Sequence, residues 1–131
     1  MRNKNTQVIE AYNKDVLREA LAALQRLDSG WTPGESELLT ARFVDDWIIL
    51  PPTDELPFRL VGNSWTLPIS HSTILANIFA IDLRGHWART LREWVMVGDN
   101  SVDHTQLDPG AIRQTGQTWL QSELKRLSAL S

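Results

Sequence analysis

The residues whose types could do chemistry are three histidines, a few aspartates, a hydroxyl-rich tetrapeptide and three arginines. His71, His86 and His104, with Asp45, Asp46 and Asp103, are donors that zinc or non-haem iron accepts. Such a site needs spacing or a shared face that brings its ligands together. No His-x-x-x-His or His-x-Asp pairing occurs, so no metal is expected. Ser70-His71-Ser72-Thr73 sets hydroxyls beside an imidazole. Nucleophilic catalysis also needs an orienting third group and an oxyanion site. There is no Gly-x-Ser-x-Gly elbow, so a solvated strand end is expected. Asp45-Asp46 would suit acid-base work only if burial raised one pKa; ending a helix and facing water is the plainer reading. Neither a dinucleotide-binding glycine pattern nor a P-loop occurs. The expectation is therefore a non-enzyme with no catalytic residue and no cofactor.

Arg84, Arg89 and Arg92 form the one local basic concentration, with His86 nearby. Arg89 and Arg92 are neighbours on the polar face of a helix and could meet phosphates, as a recognition helix does. The competing reading pairs Arg89 with Glu93 and leaves Arg92 to a surface ion pair. The chain carries 13 basic and 16 acidic residues, a net charge of -3, and the flanks of this segment are not basic. That balance favours ion pairs and offers nucleic acid no broad footprint.

Apolar residues make up 42% and charged residues 22%, which predicts a folded chain with one core. At 131 residues a single domain is expected. The absence of cysteine excludes disulfides and thiol chemistry. The N-terminus lacks the apolar run of a signal peptide, and no segment reaches the length of a membrane span. Cytoplasm is the expected compartment. Tryptophan is enriched: Trp31, Trp47, Trp65, Trp87, Trp94 and Trp119. The favoured reading is that large rings fill a small core efficiently; the alternative is that one or two sit at an interface.

Residues 6–28 show helical spacing of Ile9, Tyr12, Val16, Ala20, Ala23, Leu24 and Leu27, closed by Gly30. Thr32-Pro33-Gly34-Glu35 reads as a capping box that opens a second helix running to Val44. Asp45-Asp46 interrupts it before a strand, Trp47 to Leu50. A proline-rich loop covers 51–57. Phe58 to Val61 and Trp65 to Ile69 read as a hairpin about a Gly62-Asn63 turn, with Pro68 marking an edge. Ile74 to Ile81 is apolar on both faces, a central strand or a short buried helix. Asp82 then caps a Trp-studded helix, Leu83 to Val97, with a stripe of Leu83, Trp87, Leu91, Trp94 and Val95 and a stop at Gly98. Asp108-Pro109 opens a last helix, 109–129, with a stripe of Ile112, Trp119, Leu120, Leu124, Leu127 and Leu130. Glu123 falls inside that stripe, so either it pairs with Arg126 or the helix is half covered. The sum is α+β: a small antiparallel sheet of three or four strands packed by about four helices, in the order α-α-β-β-β-β-α-α.

Asp82, then Trp87-Ala88-Arg89-Thr90, Trp94 and Gly98 resemble the most distinctive motif of a family of small uncharacterised alphaproteobacterial proteins, a domain of unknown function. Trp31-Thr32-Pro33-Gly34-Glu35, the run from Val44 to Trp47, and Leu60-Val61-Gly62 are similar to further pieces in the same order. The resemblance covers about 31–98, leaving 6–28 and 109–129 as flanking helices. The stretch from Ile69 to Asp82 is longer than in that family, and Leu83 stands where proline is usual. It implies no activity and no catalytic residue. The functional expectation is a small interaction module that binds another protein or itself: a regulator, adaptor or inhibitor, compatible with a mobile-element or host-defence role. Its expected surface includes Arg84, Arg89, Arg92, Trp119, Glu123 and Leu124. A nucleic-acid-binding regulator using the Arg84–Arg92 segment is the first alternative, and an enzyme of unrecognised type the second.

Overall fold

The computed structural model describes residues 12–66, 70–98 and 107–130. Asn13 opens the first helix, α1 (Lys14–Asp28), by accepting the Val16 N–H on its side chain. Leu17, Ala20 and Leu24 then form its buried face. Gly30, at φ 101°, closes it. The Gly30 N–H donates to Leu27 O at 3.0 Å and the Trp31 N–H to Arg26 O at 3.1 Å, a Schellman ending that requires the left-handed glycine. Residues 6–11 of the expected helix lie outside the described residues.

The second helix is shorter than its capping signal suggests. It spans Glu35–Leu38 (α2), its N-cap is Gly34 rather than Thr32, and the Glu37 carboxylate accepts the Gly34 N–H at 2.8 Å. The expected continuation to Val44 is strand instead. Arg42–Leu50 forms β1, pairing with Arg59–Thr66 (β2) on one side and, through Arg42–Val44, with Trp94–Val97 (β5) on the other. Asp45-Asp46 does not end a helix. It forms a β-bulge: register slips between Asp45 and Ile48, and Asp46 sits at φ 48°. The extra residue lets Val44 and Trp47, three positions apart, both reach the interior.

Gly62-Asn63 is likewise not a turn. Both lie within β2, so the expected hairpin about them is corrected to one continuous strand from Arg59 to Thr66. Gly62 faces the β1 bulge, where an added Cβ would lie 2.7 Å from Val44 Cγ1 and 2.9 Å from Trp47 Cβ. The glycine provides clearance rather than a bend. Leu67, Pro68 and Ile69 lie outside the described residues. The apolar run from Ile74 belongs to a strand, β3 (Ser70–Asp82), not a buried helix. A second register slip, between Ile78 and Ala80, explains its two apolar faces. Ile78 and Ile81 enter the barrel core, while Phe79 and Ala80 join the core beneath the helices.

The largest correction concerns Leu83 to Val97, which is a β-hairpin and not a helix. Leu83–His86 forms the turn into β4 (Trp87–Thr90), and β5 returns from Trp94. Asp82 keeps its capping chemistry but uses it on a turn, accepting the Arg84 N–H at 2.9 Å and the Gly85 N–H at 3.3 Å. The hairpin buries both faces. Trp87 and Leu91 pack towards the helices, while Ala88, Val95 and Val97 fill the barrel. Gly98, expected as a helix stop, locks the barrel seam. Its N–H donates to Val44 O and its carbonyl accepts Trp47 Nε1–H, both at 2.8 Å.

The five strands close in the order β1-β2-β3-β4-β5. All neighbours are antiparallel except the β1–β5 seam, which is parallel. The α+β class stands, with a larger and closed sheet and, among the described residues, three helices. Helix α3 (Pro109–Ala129) begins as its sequence indicates, with Asp108 accepting the Ala111 N–H. Its Ile112 joins the barrel core, and Leu120 joins α1 in the second core. Among the described residues no helix is long and apolar enough to cross a membrane.

Buried Gly116 lets α3 lie against β3: an added Cβ would sit 2.6 Å from Phe79 Cδ1 and 3.1 Å from its Cα. Gly116→Ala gains up to about 1 kcal/mol of helix propensity but overpacks this contact, which costs about 1–3 kcal/mol. The expected outcome is a lower Tm in circular-dichroism melting; an unchanged or higher Tm would mean that α3 can shift freely.

Candidate interaction site

Of the three arginines, the hairpin sets Arg84 apart, while Arg89 and Arg92, expected as neighbours on a helix face, line one concavity. Arg84 is exposed in the β3–β4 turn, Arg92 is exposed between β4 and β5, and Arg89 is only 5% exposed on β4. Glu93 does not pair with Arg89 as anticipated. It accepts instead from Arg42 Nε at 3.3 Å, while Arg42 Nη1 donates to buried Ser64. His86 occupies the β3–β4 turn at φ 57°. His104 and Asp103 lie outside the described residues, as does the side chain of His71. Among the described residues no three His, Asp or Glu side chains gather as metal ligands.

A feature with no sequence signal is the open edge of β3. The Ile78 N–H donates to Phe58 O at 2.9 Å, so Ile78 turns its backbone groups towards the β2 side. Antiparallel ladders alternate. Ser72, Ile74 and Ala76 therefore bond β2, while Thr73 and Leu75 turn their N–H and C=O groups away. Strand β4 pairs with β3 only from Ile78 onward, so among the described residues no strand covers Ser70–Asn77 on this second side.

A groove of about 1810 Å³ runs past this edge. One wall is α3, which presents Thr118, Trp119 and Ser122; the 53–57 loop and Leu75 complete it. Trp119 was expected as an anchor, and the structure makes it a clamp. Its indole N–H donates to Glu55 O at 3.0 Å, and its ring lies 5.9 Å from Phe79 and 5.8 Å from Tyr12. Leu124 packs with the α1–α3 core rather than the groove. Glu123 resolves the alternative posed by its stripe: it pairs with Arg126 at 2.7 Å and accepts the Tyr12 hydroxyl.

A smaller concavity of about 440 Å³ lies between α1, α2 and the β4–β5 hairpin. Arg26, Arg89, Arg92 and Trp94 line it, with Glu19 and Glu37. Arg89 Nε donates to Thr90 O at 3.0 Å, but its Nη2 is buried without a partner. Burial lowers the pKa of Arg89, and the charges of Glu19 and Glu93 oppose that shift. The Arg89 guanidinium lies 5.2 Å from the Trp94 ring, and that of Arg26 lies 3.6 Å over Trp31. Trp94 also contacts Trp31 and Trp87, with ring centroids at 5.6 and 5.5 Å. Strand alternation would have put Arg89 on the Trp87 face; helical spacing concealed it.

The Tyr12–Glu123–Arg126 group carries a pH signature. Arg126 first, then Tyr12, holds the Glu123 carboxyl below its ordinary value; burial first, then Glu123, pushes the Tyr12 hydroxyl up. The Glu123 contribution is present above the unfolded carboxylate pKa and lost as pH falls through the depressed folded value. The Tyr12 contribution is present below its unfolded value and lost as pH rises through the raised one. Tyr12→Phe should cost about 1 kcal/mol at neutral pH and flatten the alkaline loss of stability in urea melts. An alkaline limb identical to the wild type would disconnect Tyr12 from it.

No protein-family model, no curated protein and no solved structure matches this chain, so geometry and chemistry alone carry any functional reading.

Proposed function

We propose that this chain is a small non-enzymatic protein-interaction module, a regulator, adaptor or inhibitor, that receives an extended segment of its partner along the open edge of β3. The observation that carries this reading is the outward set of N–H and C=O groups at Thr73 and Leu75, which turn away from β2 beside a groove long enough for several residues. An added strand satisfies such groups through its own backbone, and alternate side chains supply specificity. Exposed Leu75 and the half-buried Trp119 offer apolar contact, while Thr118 and Ser122 offer neutral polar contact.

Charge supports a polypeptide over a nucleic acid. Four arginines, Arg42, Arg59, Arg92 and Arg126, line the groove against four acids, Asp54, Glu55, Glu93 and Glu123, and Arg42 and Arg126 are already paired with Glu93 and Glu123. A phosphate backbone would meet those carboxylates at close range.

Two measurements test the reading. In hydrogen exchange, the amides of Thr73 and Leu75 should exchange faster than those of Ser72, Ile74 and Ala76. Peptides selected from a random display library should lose roughly tenfold in affinity, about 1.4 kcal/mol, on Thr73→Pro, which removes an outward donor and spares the β2 ladder. Uniform protection along β3, or peptide binding indifferent to Thr73→Pro, would refute strand addition. Tight duplex DNA binding that falls steeply with salt would replace it with the nucleic-acid reading.

A further inference from the structure

We propose that the concavity between α1, α2 and the β4–β5 hairpin is a carboxylate-binding site in which the Arg89 guanidinium is the principal partner. Arg89 is 5% exposed, yet one of its terminal nitrogens has no hydrogen-bond partner among the described residues. A buried guanidinium with an unmet N–H is a costly arrangement, because arginine stays charged and its donors want acceptors. Nη2 is shielded from solvent as it stands, so a carboxylate supplies the missing acceptor by turning the guanidinium towards the concavity that Arg89 lines, where the planar fork of arginine matches its two oxygens.

The surrounding residues fit the same ligand. The Arg26 guanidinium carbon sits 3.6 Å over the Trp31 ring, and Arg26 lines the concavity as a second cation for an anion. Trp94 and the small residues Ala22, Ala23 and Ala41 give an apolar wall for the carbon skeleton behind a carboxylate. A volume of about 440 Å³ admits a small organic acid or one acidic side chain.

The acids of the pocket set the charge of the ligand. Glu37 is committed to the Gly34 N–H and Glu93 to Arg42. Glu19 acts on Arg89 through its charge without a hydrogen bond to it. Three nearby carboxylates oppose a dianionic phosphate more strongly than a monoanionic carboxylate. Glu19 is the internal competitor for Arg89, so neutralising it should favour the ligand. The site shares Arg92 and Glu93 with the rim of the groove beside β3, but Arg89 lines only this concavity, and its success or failure does not depend on strand addition.

The test is a titration of the full chain at constant ionic strength with butyrate, inorganic phosphate, sodium chloride and a blocked tripeptide containing one glutamate. The readouts are the Arg89 Nε–H resonance and tryptophan fluorescence. The expected result is a saturable response to butyrate, to the tripeptide, or to both, tighter than to phosphate and absent with chloride. Response to butyrate alone assigns a free organic acid, and response to the tripeptide alone assigns a polypeptide side chain. Arg89→Lys should weaken binding at least tenfold by losing the fork, and Glu19→Gln should tighten it several-fold. Arg89→Met keeps the apolar stem, so it should stay folded and lose binding. Four results would overturn the proposal: no saturation with either carboxylate, phosphate binding as tightly, wild-type affinity in Arg89→Met, or weaker binding in Glu19→Gln.

Discussion

Phe79 against Gly116 is the contact on which the rest of the molecule rests. A barrel lined by its own side chains still has to carry two helices on its outer surface. Strand β3 does this with one extra residue. The slip between Ile78 and Ala80 keeps Ile78 and Ile81 inside while Phe79 and Ala80 turn outward together. That doubled outer surface gives α3 a place to sit, and the missing side chain at Gly116 lets the helix approach within touching distance of the ring. Trp119, one turn further along α3, then reaches Phe79, Tyr12 and the 53–57 loop. The depth and walls of the groove follow from that one approach.

The sequence was legible wherever local chemistry decides the outcome. The glycine ending of α1, the Asp108-Pro109 start of α3 and the pairing of Glu123 with Arg126 each depend on residues within one turn of helix. It misled wherever tertiary burial overrides periodicity. Trp87, Leu91 and Trp94 fall at helical spacing, yet they pack around the helix-facing side of a hairpin while Ala88 and Val95 take the other side. With both faces buried, a strand loses its polar alternation and resembles a helix on paper. Gly62 and Gly98 were read as breaks for a related reason. Their neighbours across the sheet, Trp47 and Phe43, are distant in sequence, so the need for space is invisible locally.

The same limit applies to the candidate sites. An open sheet edge is a property of which strand ends first, here β4 at the level of Ile78, and no residue type announces it. The arginines show the converse. Their types were conspicuous, but on a hairpin Arg84 falls in one exposed turn, Arg89 at a buried strand position and Arg92 in another turn, and only Arg89 and Arg92 line a common concavity. What remains of the expectation is narrower and more chemical: a single buried guanidinium with a donor unspent.

The seam at Gly98 has a kinetic consequence. Among the described residues the barrel closes through three residue pairs, from Arg42↔Val95 to Val44↔Val97, between segments roughly 50 positions apart. The hairpins on either side form from near neighbours, whereas this junction has to wait for both to be in place. A junction of this kind is expected late in assembly and early in local opening. Trp47 reports on it directly, since its indole N–H is spent on the Gly98 carbonyl. An opening event there would unzip the parallel junction, release that indole and bare the lumen of the barrel, while α1 and α3 could stay docked on the opposite wall.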